Sequence, residues 1–194
     1  MRIGKPHNTH SMTTHSGNDS TLPRWYALKV FFNRAPAIKD TLTAKGIECY
    51  LPTHTIAEER DGKILRKTRP LIASLLFFRT DSHTAIAVQS ENTGKVMLYT
   101  RITPDGRIPA AIPDKEMEIF RLVTSSGAEG LEYLPDDSPR YHTGDKVRVT
   151  GGPFAGAEGH IARIRGDRRL VVSVRGVCAV ATAYIPQCFI EPIT

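Results

Sequence analysis

Cysteine is scarce in this chain: Cys49, Cys178 and Cys188 are the three, and no two form a CxxC pair. An odd and sparse set argues against a disulfide framework. Each sits among apolar residues, the usual setting of a buried free thiol. Long apolar runs are missing as well. The longest, 71–78, is interrupted by Ser74 and closed by Arg79, well short of the roughly 18 residues that a membrane span requires. The N-terminus carries no apolar h-region, so no signal peptide is read, no membrane partner is expected, and a cytoplasmic location follows. No GxSxG, HExxH, P-loop or Rossmann pattern occurs. Cys49 and His54 do not make a convincing nucleophile and base, because Cys49 alternates with Ile47 and Leu51 along an apolar strand. His7, His10 and His15 have no cysteine or carboxylate cluster beside them, so no metal site is read. The expectation is a binding protein, a monomer, without cofactor or enzymatic activity.

What the chain does have is a modest excess of positive charge. The net charge is +6 over 194 residues, with a pI near 9.4. The excess is +5 over 24–124 and +3 over 141–194, whereas 125–140 is −3. Two mildly basic units therefore flank an acidic connector. Such surfaces favour an anionic partner, nucleic acid included, through diffuse attraction.

Residues 1–23 are polar and aperiodic, which predicts a disordered tail. Order is expected from Trp25. The stretch 25–30 reads as a strand, and Asn33 and Pro36 mark the start of a helix that Gly46 ends. Strands are predicted at 47–51, 53–59 and 63–68, the last two joined by the turn dipeptide Asp61-Gly62. A buried strand at 75–80, a helix at 82–90, a strand at 96–102 and a helix at 115–124 capped by Asp114 complete the first unit. This order describes an α+β fold, an antiparallel sheet with helices packed on it. Residues 125–140, with Gly127, Gly130, Pro135 and Pro139 among acids, read as a linker. Four short strands rich in Val, Ile and Arg follow at 146–150, 159–165, 169–175 and 178–184. They predict a small SH3-like barrel over 141–194, too small to enclose a large ligand.

The sharpest local pattern is Gly144-Asp145-Lys146-Val147-Arg148-Val149, then Gly151-Gly152-Pro153-Phe154-Ala155-Gly156, then Glu158-Gly159. Val147 and Val149 alternate with charged neighbours, giving one buried and one solvated face. Glycine lets the loop and the returning strand turn, and Pro153 stiffens it. Phe154 either anchors the loop or faces a partner. This pattern resembles the KOW motif. In the first unit, Trp25-Tyr26, Lys45-Gly46-Ile47, Tyr50-Leu51-Pro52, a basic hairpin, Arg69-Pro70-Leu71-Ile72, Leu76-Phe77-Phe78 and Ile112-Pro113-Asp114-Lys115 resemble the NGN domain in order and spacing. Together they resemble a NusG-type transcription elongation factor over 24–192. Asn33-Arg34 and the stretch 176–186 look like the specialised RfaH and UpxY-type antiterminators. At 71–75, Leu-Ile-Ala-Ser-Leu stands where the general factor has Phe-Pro-Gly-Tyr, which points the same way.

The resemblance implies an RNA polymerase partner, bound through an apolar patch, and elongation or antitermination activity at a polysaccharide operon. Tyr26, Phe31, Phe32, Leu71, Ile72 and Leu75 are the candidates for that patch, with ordinary core packing as the competing reading. Phe31 and Phe32 are informative because adjacent residues of a strand cannot both point inward. Arg34, Lys63, Arg66, Lys67 and Arg69 are the candidates for contact with DNA or RNA in the elongation complex. The barrel would recruit a ribosomal protein or a termination factor. A KOW-type ribosomal or RNA-binding protein is the alternative.

Overall fold

The computed structural model describes residues 21–60, 62–134 and 142–193. Most of the 1–23 tail, its three histidines, Asp61 of the hairpin turn, residues 135–140 of the connector and Tyr141 lie outside them.

The first unit is built on a four-stranded antiparallel sheet in the order β2-β5-β1-β6, with β1 Arg24–Val30, β2 Glu48–Tyr50, β5 Leu75–Thr80 and β6 Val96–Leu98. Strand alternation decides what each face covers. Tyr26, Leu28 and Val30 of β1 lie on the same face as Leu76 and Phe78 of β5, to which Leu28 and Tyr26 are paired. This face buries Ile38 and Leu42 of α1 (Ala35–Ala44) and Ala85 and Val88 of α2 (Ser82–Glu91). The opposite face, with Trp25, Ala27, Leu75 and Phe77, packs against Met117, Phe120 and Val123 of α3 (Asp114–Thr124). Both faces are therefore covered.

Two ribbons leave the sheet. β3 (Thr53–Arg60) and β4 (Lys63–Pro70) form a free-standing hairpin, and β7 (Thr100–Thr103) and β8 (Gly106–Pro109) form a second. The single strand predicted over 96–102 is thus two strands. It breaks at Tyr99, whose N–H donates to the carbonyl of Ala27 while its own carbonyl accepts from Ala110. The predicted caps also differ. α1 starts after Arg34, not Asn33, and has no side-chain cap. Asp114 lies inside α3, with Pro113 at the cap. Asn33 cannot cap because it takes a left-handed conformation, φ 54°.

The second unit is the SH3-like one. Its six strands run β14-β10-β11-β12-β13-β9, all antiparallel. β10 is Lys146–Val149, β11 Glu158–Ile164, β12 Asp167–Val174 and β13 Cys178–Ala181. Two strands were not visible in the sequence: β14 (Ile190–Pro192), which pairs with β10, and β9 (Glu132–Leu134), which pairs with β13. Residues 132–134, read from sequence as connector, are part of this sheet. Among the described residues no helix is long and apolar enough to cross a membrane.

The candidate docking and nucleic-acid surfaces

The six apolar candidates do not make one open patch. Tyr26 is 3% exposed and sits in the core beneath α1 and α2, its ring 6.0 Å from that of Phe78. Ile72 and Leu75 are 2% and 1% exposed and belong to the core under α3. These three are packing residues, because the helices cover both faces of the sheet. Leu71 is half-buried at the edge of that core. Phe31 is half-buried, and Phe32 is 78% exposed. The sequence argument about two adjacent aromatics holds: one is partly tucked in and the other stands in solvent. The turn that presents them is tied at both sides. The N–H of Val30 donates to Ser74 at 2.8 Å, and that of Phe31 to Lys95 at 2.9 Å. Phe32 and Asn33 both have positive φ, 59° and 54°. For a phenylalanine that conformation is sparsely populated and costs about 1–3 kcal/mol.

The five basic candidates divide as well. Glu58 on β3 pairs with Lys67 at 2.9 Å and with Arg69. The Lys67 hydrogen bond, with help from Arg69, holds the Glu58 carboxyl below its usual range. Lys63 and Arg66 are exposed on the ribbon. Arg66 reaches a cleft of about 830 Å³ between β3 and residues 124–131, lined also by Tyr50, His54, Leu71 and Leu131. Arg34 follows the Phe31–Asn33 turn and lays its guanidinium over the Phe32 ring, 5.8 Å from the centroid. β2 leads into the hairpin from the sheet end where β1 leads into this turn, since Tyr50 pairs with Phe77 and Lys29 with Leu75.

The residues of the glycine-rich pattern over 144–159 build the second unit. Val147 and Val149 are buried, as is Phe154 at 4% exposure, so Phe154 is the loop anchor of the two readings. Gly144 and Gly159 permit backbone contact: a Cβ on either would lie 1.8 Å from the carbonyl oxygen of Ile161 or 2.3 Å from that of Val171. Asp145 accepts at its carbonyl from the N–H of Ile161, 2.9 Å. Gly152 and Gly156 have positive φ in the loop, and Pro153 is exposed.

One feature went unread in the sequence: α3 is a shared element. Its Met117, Phe120 and Val123 face the sheet, while another side meets the second unit. Lys115 pairs with Glu158 at 2.8 Å, and Glu116 with Arg175 at 3.3 Å. Glu116 also accepts from the Arg175 backbone N–H, 3.1 Å. Leu122 lies beside Gly156 of the glycine-rich loop. Glu158 is further held by Arg148 at 2.8 Å. The hydrogen bond from Lys115, then that from Arg148, lower its pKa. Between α3 and the strands is a cavity of about 280 Å³ reached by His142 and His160, whose rings are 5.3 Å apart and edge-on. Burial first, and then the charges of His142, Lys146 and Arg175, push the His160 pKa down. Arg121 braces the other flank, its guanidinium 5.5 Å from the Trp25 ring and 5.2 Å from the Tyr50 ring. The Tyr50 hydroxyl shares hydrogen bonds with those of Thr124 and Ser125 at 2.6 and 2.9 Å.

The chain is similar to known proteins of one kind. The family model described as "Transcription termination factor nusG" matches residues 23–121, about half of the chain. Curated relatives include the transcription termination/antitermination protein NusG of Haemophilus influenzae, 26% identical over 165 residues, which cover 78% of this chain and 84% of that protein. NusG of Thermus thermophilus is 26% identical over 172 residues, covering 78% and 90%. Among solved structures, "Domain interaction in Thermotoga maritima NusG" aligns at 17% identity with a TM-score of 0.43, over 89% of this chain and 98% of that one.

Proposed function

The chain belongs to the NusG family, and on that premise we propose that it is a transcription termination/antitermination factor that binds RNA polymerase through its N-terminal unit. The observation that carries the reading is the family match over 23–121, which coincides with the sheet and three helices of that unit. Phe31 and Leu71, half-exposed at one end of the sheet, make the apolar contact with polymerase. Tyr26, Ile72 and Leu75 serve by shaping the sheet that carries them. Arg34, Lys63 and Arg66 meet the nucleic acid of the elongation complex, whereas Lys67 and Arg69 are already balanced by Glu58.

The finer reading is a specialised factor of the RfaH or UpxY type, acting in the cytoplasm on a polysaccharide operon. Residues 71–75 support it as a departure from the general factor, and Asn33-Arg34 and 176–186 by their likeness to the specialised branch. The SH3-like unit offers a ribosomal protein or a termination factor the loops it leaves exposed, around Pro153 and Asp145. A KOW-type ribosomal protein would leave residues 23–121 without an account. Single-round transcription with core RNA polymerase tests the proposal. Added protein should raise the fraction of transcripts that pass a pause or terminator. Equal read-through with and without it, at saturating concentration, counts against the reading.

A further inference from the structure

The SH3-like unit has two ends, and β10 runs from one to the other, from Asp145 to the glycine-rich loop. The loop end is closed: Phe154 fills the core there, and Leu122 of α3 lies against Gly156. At the Asp145 end the unit opens into a cavity of about 390 Å³. Ile161, Leu170 and Ile185 form its apolar floor, and Asp145, Arg168 and Tyr184 stand at its rim. The Tyr184 side is 72% exposed, the largest exposure of an aromatic residue in this unit. The register explains why charge follows the floor. Ile161 pairs with Leu170, and two residues along the same strands Arg163 pairs with Arg168. Residues two apart share a face of a strand, so two guanidiniums lie directly across from each other beside the apolar floor. Like charges in that position are destabilising unless an anion joins them. Neither arginine forms an ion pair among the described residues, and the acids close in register are taken. Glu132 holds Arg165 and Arg169, and Asp167 also reaches Arg169.

We propose that this open end binds an acidic peptide segment of a partner protein, one in which a large apolar side chain precedes carboxylates. The apolar side chain enters the cavity against Tyr184, and the carboxylates lie between Arg163 and Arg168. The inference goes beyond the transcription reading above and does not depend on it. A well edged by tyrosine and arginine is the kind of anchor that carries interface energy. Guanidinium forks match carboxylates in a bidentate manner. A nucleic-acid strand would supply the anion but no aliphatic or benzyl anchor, and its phosphates would meet the Asp145 carboxylate. A basic peptide would meet the two guanidiniums. The site is also independent of the seam with α3, because Lys115–Glu158 and Leu122–Gly156 hold the unit elsewhere. The partner is therefore taken without release of that seam.

The test uses the full chain and three labelled peptides with a common glycine frame. One carries phenylalanine followed by aspartate and glutamate, one has alanine for the phenylalanine, and one has lysines for the two acids. Binding is read by fluorescence anisotropy and by amide shifts in NMR spectra. The first peptide should bind saturably, about tenfold or more tightly than either control, and shift the amides of Leu170 and Tyr184. Arg168→Gln and Tyr184→Ala should each weaken it about tenfold. Without peptide, Arg168→Gln should raise the urea midpoint, because it removes the repulsion from Arg163. A lowered midpoint makes Arg168 a structural residue and overturns the proposal. So does failure of the first peptide to bind, equal binding of a control, or unchanged affinity in both variants. Shifts confined to Gly156 and the α3 amides place the peptide at the seam and overturn it too. Displacement of the peptide by single-stranded oligouridine, with Arg168→Gln abolishing oligouridine binding, makes the site one for nucleic acid and overturns it. Terminator read-through is measured separately, so none of these failures is a failure of the transcription reading.

Discussion

Phe32 and Phe154 are both loop phenylalanines, and their surroundings give them opposite roles. Phe154 fills the SH3-like core, so Phe154→Ala should cost about 3–5 kcal/mol through lost burial and the cavity left behind. Phe32 touches little of its own chain, so Phe32→Ala should change stability by no more than about 0.5 kcal/mol. Urea unfolding of the two variants checks this; comparable midpoint shifts would mean that one burial assignment is wrong. At this scale the sequence was partly legible. The adjacency of Phe31 and Phe32 required one to face out, and the alternation of Val147 and Val149 required both to face in. Tyr26, Ile72 and Leu75 were not separable from a surface patch, because nothing local says that helices cover both faces of the sheet. The pairing of Lys67 and Arg69 with Glu58 depended on the cross-strand register, which places residues far apart in sequence side by side.

Among the elements, α3 carries the most weight, since it packs on the sheet with one side and on the second unit with another. The seam it makes should be sensitive to acid. His160 faces Lys115, Lys146, Arg175 and His142 in the cavity, and the two acids there, Glu116 and Glu158, are already paired. Because the packed arrangement lowers the His160 pKa, its contribution is full above the ordinary value of 6.5 and is lost as pH falls below it. Glu158, also lowered, acts in the same direction in a separate window, below its ordinary 4.5. NMR shifts of α3 amides should therefore move with a midpoint below 6.5, and His160→Gln should remove that transition. A midpoint above 6.5 would contradict the assignment. The long elements were readable because their periodicity is local: β1, β3, β4, β5 and all three helices fall within a few residues of the expected bounds. β9 and β14 were not, as each is a three-residue strand made by its partner. Glu132–Leu134 becomes a strand because β13 is there to pair with it. The second ribbon was missed because its turn, Pro104-Asp105-Gly106, lies within a stretch read as one strand and the loop after it.

At the scale of the whole molecule, the order of the units and their kinds were legible, and their mutual packing was not. A sheet unit and an SH3-like unit could be read from their separate patterns. That α3 joins them through Lys115–Glu158 and Glu116–Arg175 is a three-dimensional coincidence of residues distant in sequence. The functional claim depends on the sheet unit holding RNA polymerase. The direct test is the affinity of the full chain for core RNA polymerase, measured for the native protein and for a Phe31→Ala, Leu71→Ala double variant shown to be folded by circular dichroism. The account predicts saturable binding by the native chain and about tenfold or weaker binding by the variant, the scale of a truncated interface anchor. Equal affinity of a folded variant, or no binding by the native chain, would contradict it.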